Sequence, residues 1–145
     1  MATFPSAEWF DEVRKAFNGD DVFHGAGGGA CSTVMGAKIG KRQFLLTFEG
    51  LECSAAREVP EQDLATADFY LDMSYSDWRA MIENIAKNGR ADLHHTLNTL
   101  DLGRAEGLAR SVHGDQYRED LFFRYNQTMQ FYFDASARVK TQFAE

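Results

Sequence analysis

Apolar residues recur at helical spacing near the start of the chain and then give way to a glycine-rich stretch. The spacing predicts a helix over residues 7–17, capped by the side-chain oxygen of Ser6. Its apolar face is formed by Trp9, Phe10, Val13 and Phe17. Residues 18–30 hold five glycines, which destabilise both helices and strands, so this stretch is predicted to be a loop.

The hydrophobic period then changes from that of a helix to two residues, which is typical of strands. The alternation predicts strands over residues 31–39, 43–48, 51–59 and 68–73. Short turns at Gly40 and Gly50 join the first three as an antiparallel meander. A short fifth strand is predicted between Gly103 and Gly114, where leucine, arginine and valine nearly alternate.

Three further helices follow from spacing and capping residues. Ser74 and Gly89 bound the first, whose buried stripe is predicted to be Trp78, Met81, Ile82 and Ile85. A short helix is predicted over residues 92–100, with Leu93, Leu97 and Leu100 buried. The last helix is predicted from Asp115 to Ala144, a stretch without glycine or proline.

These elements predict one α+β domain over residues 1–145. We expect a mainly antiparallel sheet of four or five strands, covered on one face by helices, with the long C-terminal helix closing a cavity. A chain of 145 residues with 44% apolar residues is long enough to bury a core without disulfides or a structural metal. Cys31 and Cys53 are therefore predicted to be reduced core thiols.

The charge balance restricts the class of partner. Fifteen basic and 22 acidic residues give a net charge of −7, which disfavours nucleic acids and anionic membrane surfaces. No apolar stretch is long enough for stable insertion into a membrane. We therefore predict a cytoplasmic protein.

The C-terminal helix carries more aromatic surface than one core stripe needs. Phe122, Tyr125, Met129, Tyr132 and Phe133 form an ordinary stripe. A second row, made of Phe123, Gln127 and Phe131, lies at i, i+4 and i+8 on another part of the surface. This row indicates either a packing neighbour, such as a second subunit, or the lining of an apolar ligand cavity with Gln127 and Gln130 as its sparse polar groups.

Two stretches resemble the lipid-binding domain of the sterol carrier protein family. Residues 67–74, followed by Ser76-Asp77-Trp78, are similar to the family's last meander strand running into a helix. Residues 107–115, which end in Gly114-Asp115, resemble its short fifth strand before the closing helix. The order of elements is also similar, although residues 88–102 are longer and more polar than the family pattern. The resemblance implies an apolar tunnel between sheet and helices that holds a sterol, an acyl chain or a similar lipid.

A second hypothesis is enzymatic. On the predicted short helix, His94, Asn98 and Asp101 share one face, so His94 could serve as a general base oriented by the other two side chains. The chain would then be a cofactor-free isomerase or lyase acting on an apolar or aromatic substrate. No metal or nucleotide cofactor is predicted, because the histidines lack a ligand spacing and the glycines do not follow a strand.

We therefore predict that the chain binds, and transfers within the cell, a small apolar molecule such as a lipid, a fatty acyl chain, a sterol or a terpenoid. The predicted ligand-binding residues are Trp78, Met81, Phe123, Gln127 and Phe131. The enzyme is the first alternative. A homodimeric interaction module, in which the second aromatic row meets its symmetry mate, is the other.

Overall fold

The computed structural model describes residues 2–19, 32–103 and 108–144. The helices are α1 (Ala7–Asn18), α2 (Tyr75–Asn88), α3 (Leu97–Leu102) and α4 (Gln116–Asp134). The strands are β1 (Ala2–Phe4), β2 (Thr33–Ile39), β3 (Arg42–Glu49), β4 (Glu52–Val59), β5 (Phe69–Met73), β6 (Ala109–Arg110) and β7 (Thr141–Phe143). Two short 3-10 helices span Glu61–Thr66 and Ala135–Arg138. Most of the predicted glycine-rich loop, together with Cys31, lies outside the described residues.

The main sheet has five strands in the order β4-β3-β2-β5-β6. The pairs β2–β3, β3–β4 and β5–β6 are antiparallel, whereas β2–β5 is parallel. The parallel pair arises because the chain leaves β4 at one edge, crosses by the first 3-10 helix and joins β2 on its free side. The predicted α+β fold with a mainly antiparallel sheet is confirmed, as is the short fifth strand, β6.

The two faces of the sheet are covered differently. On one face, α1, α2 and α4 bury the main core, which contains Phe44, Met35 and Leu71. On the other face, Leu64 of the first 3-10 helix packs with Leu45, Val59 and Ala67 in a smaller cluster. The α-helices thus lie on one face, which is the expected arrangement.

The predicted helix caps are present. The Ser6 Oγ atom accepts from the Trp9 N–H at 3.0 Å, and Ser74 Oγ accepts from the Asp77 N–H at 3.2 Å. Gly89 ends α2 in the left-handed conformation, φ 81°, where a residue without a side chain is favoured. The apolar faces predicted for α1 and α2 are buried.

The C-terminal helix ends earlier than predicted. It stops at Asp134 rather than at Ala144, and the chain then forms a 3-10 turn and β7. Strand β7 pairs in parallel with β1 at the opposite end of the sequence. The Ala2 N–H donates to the carbonyl oxygen of Lys140, and the Ala144 N–H donates to that of Phe4, both at 2.9 Å. Local helical propensity cannot predict these hydrogen bonds, because they join residues at opposite ends of the sequence.

The short helix was also predicted at the wrong place. It covers Leu97–Leu102 rather than residues 92–100, because residues 92–95 form a turn in which the Asp92 carboxylate accepts from the His94 N–H at 2.9 Å. Thr96 caps the helix instead. Leu93, predicted to be buried, precedes the helix and is 84% exposed.

Candidate functional site

Helix α4 is held across the helical face of the sheet by its capped start and its buried stripe. Asp115 Oδ1 accepts from the N–H groups of Tyr117 and Arg118, at 2.9 and 3.4 Å. The Phe122 ring then packs against Phe69 of β5, with centroids 6.1 Å apart. The stripe continues through Met129, Tyr132 and Phe133, all of which are buried.

The second row of α4 lies in two different environments. The Phe123 side chain is 55% exposed and touches Phe122, with ring centroids 5.2 Å apart. Gln127 is exposed, whereas Phe131 is half-buried and packs against the main core. The row therefore runs from solvent at its N-terminal end to the core at its C-terminal end.

Trp78 and Met81 lie on the buried face of α2. The Trp78 indole N–H donates to the carbonyl oxygen of Lys38 at 2.9 Å, and its ring lies 5.4 Å from that of Phe133. These protein atoms hold the indole in place. The five predicted ligand residues therefore form two groups: a buried pair on α2, and a row on α4 whose exposure to solvent decreases towards its C-terminal end.

Exposed apolar surface is concentrated in one part of the described chain. Five of the six large hydrophobic side chains that are strongly exposed belong to residues 93–123: Leu93, Leu102, Val112, Tyr117 and Phe123. The sixth, Leu51, is in the turn between β3 and β4 and is 49% exposed. These five side chains mark a region of the chain that runs from the turn before α3 to the first half of α4.

A groove of about 520 Å³ adjoins this region at the C-terminal half of α4. Its lining includes Phe131, Gln130 and Asp134 from α4, and Ala91 and Leu93 from the segment before α3. Asn88, Arg90, Asp92 and Thr96 also line the groove, so six of its nine lining residues are polar or charged and Phe131 is its one aromatic ring.

Two polar side chains of α4 fix the segment that borders this groove. Asp134 Oδ1 accepts from the Ala91 N–H at 3.1 Å and from the Gln130 side-chain amide at 2.9 Å. Gln130 Oε1 in turn accepts from the Leu97 N–H at 2.7 Å. Burial raises the pKa of Asp134 above its ordinary value, because it disfavours the ionised carboxylate. Sequence reasoning identified Gln130 and missed Asp134, although the i, i+4 spacing of the two residues was a signal.

The residues of the enzymatic hypothesis are not on one helical face. His94 lies in the exposed turn before α3, and Asn98 is exposed on the helix. Asp101 is only 8% exposed, and its Oδ1 atom accepts from the Leu108 N–H at 2.6 Å. The acid therefore fastens α3 to the start of β6. The expected common face is wrong because the helix begins after His94.

Within the described residues, no helix has the length and apolar character needed to span a membrane. The same part of the chain contains no cluster of three or more histidine, cysteine or acidic side chains that could hold a metal ion.

Comparison with known proteins identifies a related fold. No family model matches the chain, and no curated protein is similar to it in sequence. Among solved structures, the crystal structure of sterol carrier protein 2 superposes with a TM-score of 0.66. The match covers 92% of this chain and 96% of the other at 15% sequence identity. The chain therefore has the fold of sterol carrier protein 2, as the resemblance in its sequence predicted.

Proposed function

We propose that the protein binds a small apolar ligand of the lipid class and carries it in soluble form. The observation that carries the proposal is the likeness to sterol carrier protein 2 over nearly the whole of both chains. That protein is named as a sterol carrier. The apolar surface around α3 and α4 supports the proposal independently.

The ligand is proposed to enter between α3 and the first half of α4. Phe123 stands at this entrance, Gln127 is the polar group one turn further along, and Phe131 lies where the row reaches the core. In this proposal Trp78 and Met81 belong to the inner wall behind the ligand. Each methylene group that leaves water contributes about 0.8 kcal/mol, so an acyl chain needs few polar contacts for micromolar affinity.

The first experiment is native mass spectrometry of the purified protein, followed by extraction and identification of any released molecule. Binding of a fluorescent fatty acid is then compared in the wild type and in Phe123→Ser. We expect about tenfold weaker binding in the variant, because a half-exposed aromatic ring that a ligand covers contributes on the order of 1–2 kcal/mol.

Leu51→Ser is the matched control. It also replaces an exposed apolar residue with serine, but in the turn between β3 and β4, so its affinity for the fluorescent fatty acid should equal that of the wild type. Equal affinities in all three proteins would contradict the proposed entrance. A ligand-free protein that sediments as a dimer, and as a monomer after Phe123→Ser, would assign the aromatic row to a subunit interface.

A further inference from the structure

A second groove, of about 600 Å³, lies between α2, the turn before α3 and the C-terminal segment. Its apolar lining comes from Ala80 and Ala86 of α2 and from Val139 and Phe143 near the C-terminus. The imidazole of His95 and the side chain of Lys87 also line this groove. Glu83, Asn84 and Thr141 complete the lining, so the groove combines apolar side chains with five polar or charged ones.

The orientation of the His95 ring is set by Asp92. The Nδ1 atom lies 2.7 Å from Asp92 Oδ1. Hydrogen bonds from His95 and Asn84 lower the pKa of Asp92 to about 2, so its carboxylate is ionised at neutral pH and only accepts. The hydrogen must therefore be on Nδ1, and Nε2 is the ring nitrogen left for a ligand. No described residue forms a hydrogen bond with Nε2.

Asp92 is itself held in place by three further hydrogen bonds. The Asn84 amide donates to Asp92 Oδ2 at 2.9 Å, and the Asp92 N–H donates back to Asn84 Oδ1 at 2.8 Å. The His94 N–H donates to Asp92 Oδ1 at 2.9 Å. The imidazole is thus presented by a fixed scaffold, which lowers the entropy cost of ligand binding.

Lys87 is the basic side chain of the groove lining that forms no salt bridge with a described residue. Glu83, which also lines the groove, is paired with Arg79, whose guanidinium lies 4.7 Å above the Phe143 ring. The Asp92 carboxylate accepts hydrogen bonds from His95 and Asn84. The ammonium group of Lys87 is therefore available to a ligand.

We propose that this groove binds a small carboxylic acid with a short apolar tail. The carboxyl group lies between Lys87 and Nε2 of His95, and the tail lies along Val139 and Phe143. This site is separate from the proposed lipid site and does not depend on it.

The test is an NMR titration of the ¹⁵N-labelled protein with hexanoate, with 1-hexanol as the probe that has the tail and lacks the carboxyl group. We expect hexanoate to shift the backbone amides of Lys87, His95 and Phe143, and to bind more tightly than hexanol. Hexanol binding as tight as hexanoate binding would overturn the proposal. Shifts confined to α3 and α4 would also overturn it, since they would place hexanoate at the proposed lipid site.

Two variants and a control test the roles of the polar groups. Lys87→Gln should weaken hexanoate binding about three- to fivefold, which is the effect of losing an exposed ion pair. Lys15→Gln removes the same charge from the exposed part of α1 and should leave the affinity unchanged. His95→Gln should also weaken hexanoate binding, because the new side chain lacks the ring that Asp92 orients. Unchanged affinity in Lys87→Gln would refute the carboxylate site, whatever the stability of the histidine variant.

Discussion

The carboxylate of Asp134 offers a sharp test of how α4 holds the segment before α3. It is 6% exposed and accepts from the Ala91 N–H and from the Gln130 amide. Asp134→Asn keeps an oxygen that can accept both bonds and removes the charge. Asp134→Ala removes both the charge and the acceptor. Because neither variant carries the buried charge, comparing them isolates the hydrogen bonds.

The expected magnitude follows from the groups left behind. In Asp134→Ala the half-buried Ala91 N–H and Gln130 amide lose their common acceptor, and each of these two hydrogen bonds contributes about 0.5–1.5 kcal/mol net. We therefore expect the free energy of unfolding of Asp134→Ala to be about 1–3 kcal/mol below that of Asp134→Asn. The Ala91 amide should also exchange its hydrogen faster in Asp134→Ala.

The wild type should differ from Asp134→Asn in its pH dependence. Burial raises the folded-state pKa of Asp134 above the ordinary 3.8, so the folded protein binds more protons than the unfolded chain between these two values. Stability must therefore fall as the pH rises from about 3.8 through the folded-state pKa. The asparagine variant lacks this loss, so its stability relative to the wild type should rise over the same pH interval and stay constant above it.

The assay is urea unfolding across this pH range, followed by tryptophan fluorescence, since Trp9 and Trp78 are both fully buried. Linear extrapolation gives the free energy of unfolding of each variant at each pH. Equal stabilities of Asp134→Asn and Asp134→Ala would refute the role of the two hydrogen bonds. A constant difference between the wild type and Asp134→Asn would refute the raised pKa.

Two further predictions concern the sheet and the turn before α3. In Gly36→Ala the new Cβ would lie 2.7 Å from Tyr70 Cβ, so β2 and β5 must separate slightly. We expect a loss of about 1–3 kcal/mol in urea unfolding, and wild-type stability would show that this contact can relax. Asp92→Asn should alter acid unfolding, measured by circular dichroism. The lowered pKa of Asp92, about 2, means that its stabilising effect is present above pH 3.8 and is lost as the pH falls towards 2. Asp92→Asn should therefore lose less stability than the wild type between pH 3.8 and pH 2. Parallel acid-unfolding curves of the two proteins would contradict this effect of the Asp92 pKa.

Local sequence patterns were sufficient to predict those helices, strands and turns whose ends are determined by residues close in sequence. The caps at Ser6, Ser74 and Asp115 were predictable because an N-cap bonds to backbone groups two or three residues away. The alternation in β2 and β5 was predictable because one face of each strand is consistently buried. Turns at Gly40 and Gly50 followed from their sequence, and both glycines have positive φ angles.

The candidate site was only partly accessible from the sequence. The angular position of Phe123 on α4 was predictable, but its exposure depends on what lies opposite that face. Likewise, helical spacing places Trp78 and Met81 on the apolar face of α2 without indicating whether protein or ligand fills the space beside them. The Asp92–His95 pair was missed because residues 92–95 were predicted to be helical, whereas they form a turn.

The sequence by itself determined the α+β class, the identity of most helices and strands, and the resemblance to the sterol carrier fold, because these depend on periodicity and on short-range capping. Tertiary structure alone decided that β2 and β5 are parallel, that the chain after Asp134 forms a strand with β1, and that Asp134 is buried against Ala91. Each of these features depends on contacts between distant parts of the chain. The free energy of such contacts comes from burial and long-range hydrogen bonding, which no local window of sequence contains.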